Sequence, residues 1–250
     1  MSRKEISNII LHIPHNSNKF PKNLGSLTVS KTTLKKFSKI ICDTSVKKLF
    51  SHKIGVFVEA KYSRVYCDVE KFLDNSLEIM SKYGMGVIYT HDHLGNQIRK
   101  ENEDFSRHVI SNYYLPYHQN LDELTKKILN KKILIVDCHS YDEKIVVHNK
   151  QKIYSDICIG YDTEFYDDNI VMGVANIFMN NGYSVSFNNP FSGCMIPSIV
   201  LKSKLKNCYG FMIEINKRIY LKSIMDFFKC KKTIKLVLHF LKDYMDNLNL

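Results

Sequence analysis

No apolar stretch of the sequence approaches the ~20 residues that a membrane span requires. The opening, Met1-Ser2-Arg3-Lys4-Glu5-Ile6-Ser7-Asn8, leads into only a short apolar run. No secretory signal is therefore expected, and the cytoplasm is the expected location. CxxC is absent. The seven cysteines, at 42, 67, 138, 158, 194, 208 and 230, are odd in number and widely spaced. That pattern argues against a zinc ribbon or a disulfide framework. Most of them are expected to be small buried residues in a reducing compartment. The 10 glycines and 5 prolines are scattered and mark no linker. Internal repeats and low-complexity tracts are also missing. A single domain over residues 1–250 is expected.

What is present is ordinary globular usage, with 44% apolar and 24% charged residues, and this excludes wholesale disorder. The formal charge is +11, from 36 Lys+Arg against 25 Asp+Glu. A basic balance raises the question of a nucleic-acid partner. The excess is mostly lysine in short runs such as Lys35-Lys36, Lys47-Lys48, Lys126-Lys127, Lys131-Lys132 and Lys231-Lys232, many on the polar faces of expected helices. No nucleic-acid motif accompanies them, so a solvated surface is the simpler reading.

Ile9 to Ile13 is short, rich in β-branched residues and ended by Pro14, which predicts a buried strand. Leu34, Phe37, Ile40, Ile41, Leu49 and Phe50 recur at helical spacing and predict an amphipathic helix over Thr32 to His52. Further strands are expected at Gly55–Ala60, Ser63–Val69, Met85–Thr90, Ile133–Asp137, Ile157–Gly160, Tyr183–Phe187 and Phe211–Ile215. Helices are expected at Glu103–Leu129, as one or as two broken near Pro116, and at Asn169–Asn181 and Lys229–Leu248. Alternating strands and helices imply an α/β sandwich around a mostly parallel sheet. Sites in such sheets gather at the carboxyl ends of the strands.

Four such places carry chemistry. His12-Ile13-Pro14-His15-Asn16-Ser17 ends the first strand, and an imidazole there is either a zinc ligand or part of a polar turn. Asp137-Cys138-His139-Ser140 ends the Ile133 strand, where Asp137 can orient a metal-bound histidine or simply close a turn. Glu214 interrupts the apolar strand Met212-Ile213-Glu214-Ile215. A buried acid must be paired, metal-linked or raised in pKa, which suits a general base, although an edge strand would also place an acid there. In Tyr62-Ser63-Arg64-Val65-Tyr66-Cys67-Asp68, an extended segment sets Arg64 and Asp68 on one side. Arg64 is then an oxyanion stabiliser, a carboxylate binder or half of a structural pair. A third metal ligand comes from Asp43, on the inward side of the first helix, or from His91 and His93, which share a face if their segment is a strand.

In this order the motifs resemble the N-formylglutamate amidohydrolase family, nearly end to end. Ile13-Pro14-His15-Asn16-Ser17 resembles its Pro-His motif, and Asp43 ahead of Phe50 resembles an Asp preceding a Leu-Tyr pair. Tyr62-Ser63-Arg64 with Asp68 resembles Ser-Arg…Asp-x-Asn-Arg, and Tyr114-Leu115-Pro116-Tyr117-His118 with Leu121 resembles a Pro-Tyr-His…Leu helix. Asp137-Cys138-His139-Ser140 resembles Asp-x-His-Ser, Asn189-Pro190-Phe191-Ser192-Gly193 a glycine-containing loop, and Glu214-Ile215-Asn216 with Tyr220 the final Glu motif.

The resemblance implies a three-layer α/β/α sandwich like that of zinc-dependent exopeptidases. It implies one zinc ion held by His15, Asp43 and His139, with Glu214 activating water and Arg64 stabilising the oxyanion. Asp68, Glu70, Lys71, Asn189 and Lys217 are the implied substrate contacts. Other divalent metals suit the same donors. Three departures bear on the substrate. Glu70-Lys71 stands where the family has Asn-Arg, Gly193-Cys194 replaces a double glycine, and Lys217 replaces an Arg. Lysine keeps the charge of arginine but loses its bidentate fork. The expected substrate is thus an N-acylated amino acid such as N-formylglutamate. A peptidoglycan-type peptide or another acylated amine is the alternative, and a non-catalytic basic binding protein on a decayed scaffold is a third reading.

Overall fold

The computed structural model describes residues 7–145 and 153–249. β1 (Ile9–Ile13) is buried at every position, as an apolar strand inside a covered sheet must be. Six strands form one sheet in the order β2 (Val56–Glu59), β1, β3 (Ile133–Tyr141), β6 (Cys208–Asn216), β4 (Ile157–Gly160) and β5 (Val185–Phe187). β1 with β3, β3 with β6, and β4 with β5 run parallel, whereas β4 and β6 are antiparallel. The fold is therefore α/β, with a mixed, mostly parallel sheet flanked by helices.

Strand side chains alternate between two faces. On one face Ile9, Leu11, Leu134, Val136, Phe211, Ile213 and Ile215 share a core with α2 (Val46–Phe50), α5 (Asp168–Asn180) and α7 (Ile224–Asn247). Burying one such side chain is worth ~1.5–3 kcal/mol. The register sets His12 opposite Asp137 and His139 opposite Glu214, so these four share the other face. Gly160 and Gly210 also lie on that face. An added Cβ would stand 2.8 Å from the Gly193 carbonyl at the first and 3.0 Å from Cys194 Sγ at the second. The loop carrying Gly193 and Cys194 thus lies directly against the sheet.

The chain divides into two compact units. One comprises Met1–Ile13, Ser45–Val58 and Leu121–Leu250 and carries the sheet; the other comprises Pro14–Thr44 and Glu59–Asn120. Among the described residues, no helix is long and apolar enough to cross a membrane.

The expected helix over Thr32–His52 is split. α1 (Lys31–Ile41) begins where Ser30 Oγ accepts the Thr33 N–H, and it ends at Cys42, whose backbone is extended. Ser45 takes a left-handed conformation with φ 68° ahead of α2. Polar side chains in Asp43-Thr44-Ser45 compete with helical backbone bonding, and the Asp43 N–H donates instead to the His15 carbonyl at 2.9 Å. Asp43 accordingly lies in the break and not on a helix.

Two expected strands are turns. At Ser63–Val69 the Ser63 carbonyl accepts the N–H groups of Tyr66 and Cys67, which curls the segment. At Met85–Thr90 only an isolated bridge joins Met85 and Tyr89, and the Gly84 carbonyl takes both the Thr90 and His91 N–H groups. Alternation of apolar residues misleads where no neighbouring strand offers a ladder. The helical stretch from Glu103 continues past Pro116 through α3 (Glu103–Val109), a π-helical turn (Ile110–Tyr114) and α4 (Leu115–Lys126). The wide turn precedes a proline that has no N–H and crowds the carbonyl four residues back.

Candidate active site

In the sheet-bearing unit, Asp137 is the centre of a buried polar group. Its Oδ1 faces His12 Nδ1 at 2.6 Å and His139 Nε2 at 2.9 Å, and its Oδ2 accepts the Met195 N–H at 2.9 Å. His12, Asp137 and His139 are all buried. Burial alone would raise the Asp137 carboxyl, but His139 and His12 hold it well below the usual carboxylate range. A carboxylate without solvent needs such charge-assisted bonds. The candidate ligand atoms of His12, Asp137 and His139 lie within 4.8 Å of one another. Glu214 is buried beside them by register, with His139 on one neighbouring strand and Cys158 on the other.

In the second unit the centre is Asp68, which is fully buried. Its Oδ2 accepts Arg64 Nε at 3.0 Å and the Tyr89 hydroxyl at 2.8 Å, while its Oδ1 meets His15 Nε2 at 2.8 Å. Burial would raise the Asp68 carboxyl, but Arg64 and His15 keep it well below its ordinary range. Burial would lower the Arg64 guanidinium, but Asp68 holds it well above. Burial drives the Tyr89 phenol well up, so Tyr89 stays a neutral donor.

His15 Nδ1 stands 3.7 Å from Asp43 Oδ2, too long for a hydrogen bond. Its Nε2 is 3.4 Å from Glu70 Oε2. Ligand atoms of His15, Asp68 and Glu70 lie within 4.8 Å of one another. Imidazole and carboxylate donors at these spacings suit zinc and its divalent neighbours.

The turn that replaces the expected strand still joins Arg64 to Asp68, now as an i,i+4 pair. Lys71 pairs with Glu78 at 3.0 Å, and Glu78 also takes the Met80 N–H. Asn189 lies exposed in the loop after β5, and its carbonyl accepts Ser186 Oγ at 2.6 Å. Lys217 is buried at the turn after β6. His91 and His93 lie in a turn held by Asp92, whose Oδ1 accepts the Leu94 and Asn96 N–H groups. The His93 ring stacks on Phe37, and among the described residues neither histidine joins a group of three potential ligands.

All seven cysteines are free thiols. Burial pushes the Cys67 thiol up to about 12 and Cys138 well above its usual range, which disfavours thiolate chemistry at either. Sequence reasoning placed His12 in the first strand-end motif without giving it a role of its own, and it missed Tyr89 and the Met195 N–H. The only trace of His12 was a polar residue inside an apolar strand. Tyr89 and Met195 left none, since both act through contacts distant in sequence.

A mixed α/β sheet with one buried His–Asp cluster on its polar face, where β3 runs on past the expected end at Asp137 to Tyr141, and a second cluster on turns fits a hydrolytic enzyme, and comparison with known proteins gives that class. A family model for N-formylglutamate amidohydrolase matches residues 7–221, in segments of both units. The chain belongs to this family and is a hydrolase acting on a non-peptide C–N amide bond. Its fold is similar to the crystal structure of N-formylglutamate amidohydrolase from Ralstonia eutropha JMP134. The TM-score there is 0.83 and the identity 19%, covering 98% of this chain and 96% of that one. A gene product from Agrobacterium tumefaciens matches with TM-score 0.67 and 18% identity, covering 97% of this chain and 90% of that one. No curated protein matches the sequence.

Proposed function

We propose that the chain is a single-domain, zinc-dependent amidohydrolase that cleaves the N-acyl amide of an acylated amino acid such as N-formylglutamate. The observation that carries this reading is the pair of buried carboxylate–histidine contacts, Asp68 on His15 and Asp137 on His139. Metal-bound histidines characteristically donate their second nitrogen to such a carboxylate. His15, Asp43 and His139 are the proposed ligands, and the Asp43 carboxylate on the Nδ1 side of His15 fits the set. When bound, zinc supplies Lewis acidity toward water and the amide carbonyl. Glu214 takes a proton from the attacking water at its carboxylate and delivers it to the leaving nitrogen. Arg64, held in orientation by Asp68 and Tyr89, faces the negative charge that develops on the carbonyl oxygen. Asn189 and Lys217 hold the substrate. The free thiols accord with a cytoplasmic location.

A second substrate reading has its own support. Lys71 is already paired with Glu78, and Glu70 adds a carboxylate beside His15. That arrangement favours a neutral or cationic group on the substrate, as in an acylated amine or a peptidoglycan-type peptide. Hydrolysis of N-formylglutamate by native, chelator-treated and zinc-restored protein tests the main reading. Loss and recovery of activity are expected, and hydrolysis that survives complete metal removal would reject it. Replacing Glu70-Lys71 with Asn-Arg tests the second reading. A gain toward N-formylglutamate is expected if this pair sets specificity, and no gain counts against it.

A further inference from the structure

His12 has no part in the mechanism above, yet it is fully buried on the polar face of the central sheet. We infer that His12 is a positioning residue which acts through Asp137 to fix the ring of His139. The inference rests on the proposed role of His139 as a ligand, and it concerns only residues of the sheet-bearing unit.

The argument is one of donors and acceptors. An ionised carboxylate only accepts hydrogen bonds. The nitrogen of each ring that faces Asp137 must therefore carry its proton: Nδ1 in His12 and Nε2 in His139. Both point at the same oxygen, Oδ1, while the Met195 N–H occupies Oδ2. Three donors from three separate segments thus hold both oxygens. Asp137 cannot rotate about its terminal torsion without surrendering at least one of them. The His139 tautomer is set by the facing nitrogen, and its other nitrogen, Nδ1, is left to accept or to ligate.

Removing the His12 donor leaves Oδ1 with a single partner in a site without solvent, where an unmet carboxylate valence is costly. Asp137 then has reason to turn, and His139 loses its fixed tautomer. The Met195 contact places the loop after Pro190 under the same constraint, so the peptide bond ahead of Met195 and the His139 ring share one anchor.

The test compares His12→Asn, whose amide nitrogen keeps a donor near the Nδ1 position, with His12→Leu, which keeps bulk and removes it. In the metal-free full-length protein, long-range ¹H–¹⁵N correlation reports the tautomer of each histidine. The expected result is Nε2–H on His139 and Nδ1–H on His12 in the wild type, Nε2–H on His139 in His12→Asn, and a mixture on His139 in His12→Leu. Zinc affinity by chelator competition is expected to fall ~10–100-fold in His12→Leu and to stay near wild type in His12→Asn.

A wild-type His139 protonated at Nδ1 would overturn the inference, and this holds even if His12→Leu fails to fold. Equal loss of affinity in both variants would reduce His12 to a packing residue and would also overturn it. Wild-type protein that takes up no zinc rejects the metal reading itself, and the tautomers then still decide the positioning role.

Discussion

The two units each bury an aspartate beneath a histidine, but by different means. In the sheet-bearing unit, His12, Asp137, His139 and Glu214 sit on three parallel strands, and register alone places them on one face. In the other unit, Arg64, Asp68 and Tyr89 sit on turns, and side-chain bonds to Asp68 draw them together, while Asp43 sits in a helix break and its N–H is held by the His15 carbonyl. The first arrangement is stiff because backbone ladders define it. The second is only as stiff as its central carboxylate. Removal of one side chain should therefore spare the architecture in the first and unravel it in the second.

The largest expected effect is chemical. Glu214→Gln should lower hydrolysis by ~10²–10⁴-fold while leaving the unfolding midpoint near wild type, since the amide keeps the shape on a ladder-bound strand. Near-wild-type turnover in a folded variant would remove Glu214 from the mechanism. Next is Asp68→Asn, which strips the counter-charge from Arg64. A buried pair broken on one side costs ~3–5 kcal/mol, so urea titration should show a loss of that order. A loss below ~1 kcal/mol would mean that the turns do not depend on Asp68.

Gly160→Ala is smaller. Its Cβ would stand 2.8 Å from the Gly193 carbonyl, and overpacking of this kind costs ~1–3 kcal/mol. Thermal unfolding of the variant should show the drop, and an unchanged Tm would mean that the loop yields freely.

The smallest effect concerns Asp92. Burial would raise its carboxyl, but bonds from Asn96 and Leu94 keep it below its usual value. A carboxylate whose folded pKa is depressed stabilises above the unfolded pKa and loses that contribution as pH falls through the folded one. Asp92→Ala should thus cost ~1 kcal/mol or less at neutral pH, and variant and wild type should converge in acid. A gap that widened on acidification would contradict the assignment.

Much of the sheet was legible. Ile9–Ile13 and Ile133–Asp137 are β-branched runs with few polar interruptions, and period-2 alternation already separated Glu214 from Ile213 and Ile215. The pairing of His139 with Glu214 was not, because it needs β3 and β6 as neighbours and strand order depends on long-range packing. The Arg64–Asp68 pair was anticipated on a strand and occurs on a turn, since a four-residue spacing also closes in a curled backbone. Asp43 was anticipated on a helix, and the polar run that follows it breaks that helix. His12 and Tyr89 reach their aspartates across 125 and 21 residues, distances at which no local pattern speaks.

The most direct test of the zinc reading is elemental analysis of protein purified without chelator or histidine tag, beside His15→Ala and His139→Ala. About one zinc ion per chain is expected in the wild type and far less in either variant. Zinc retained in full by both variants, or wild-type protein that binds none on titration, would contradict it.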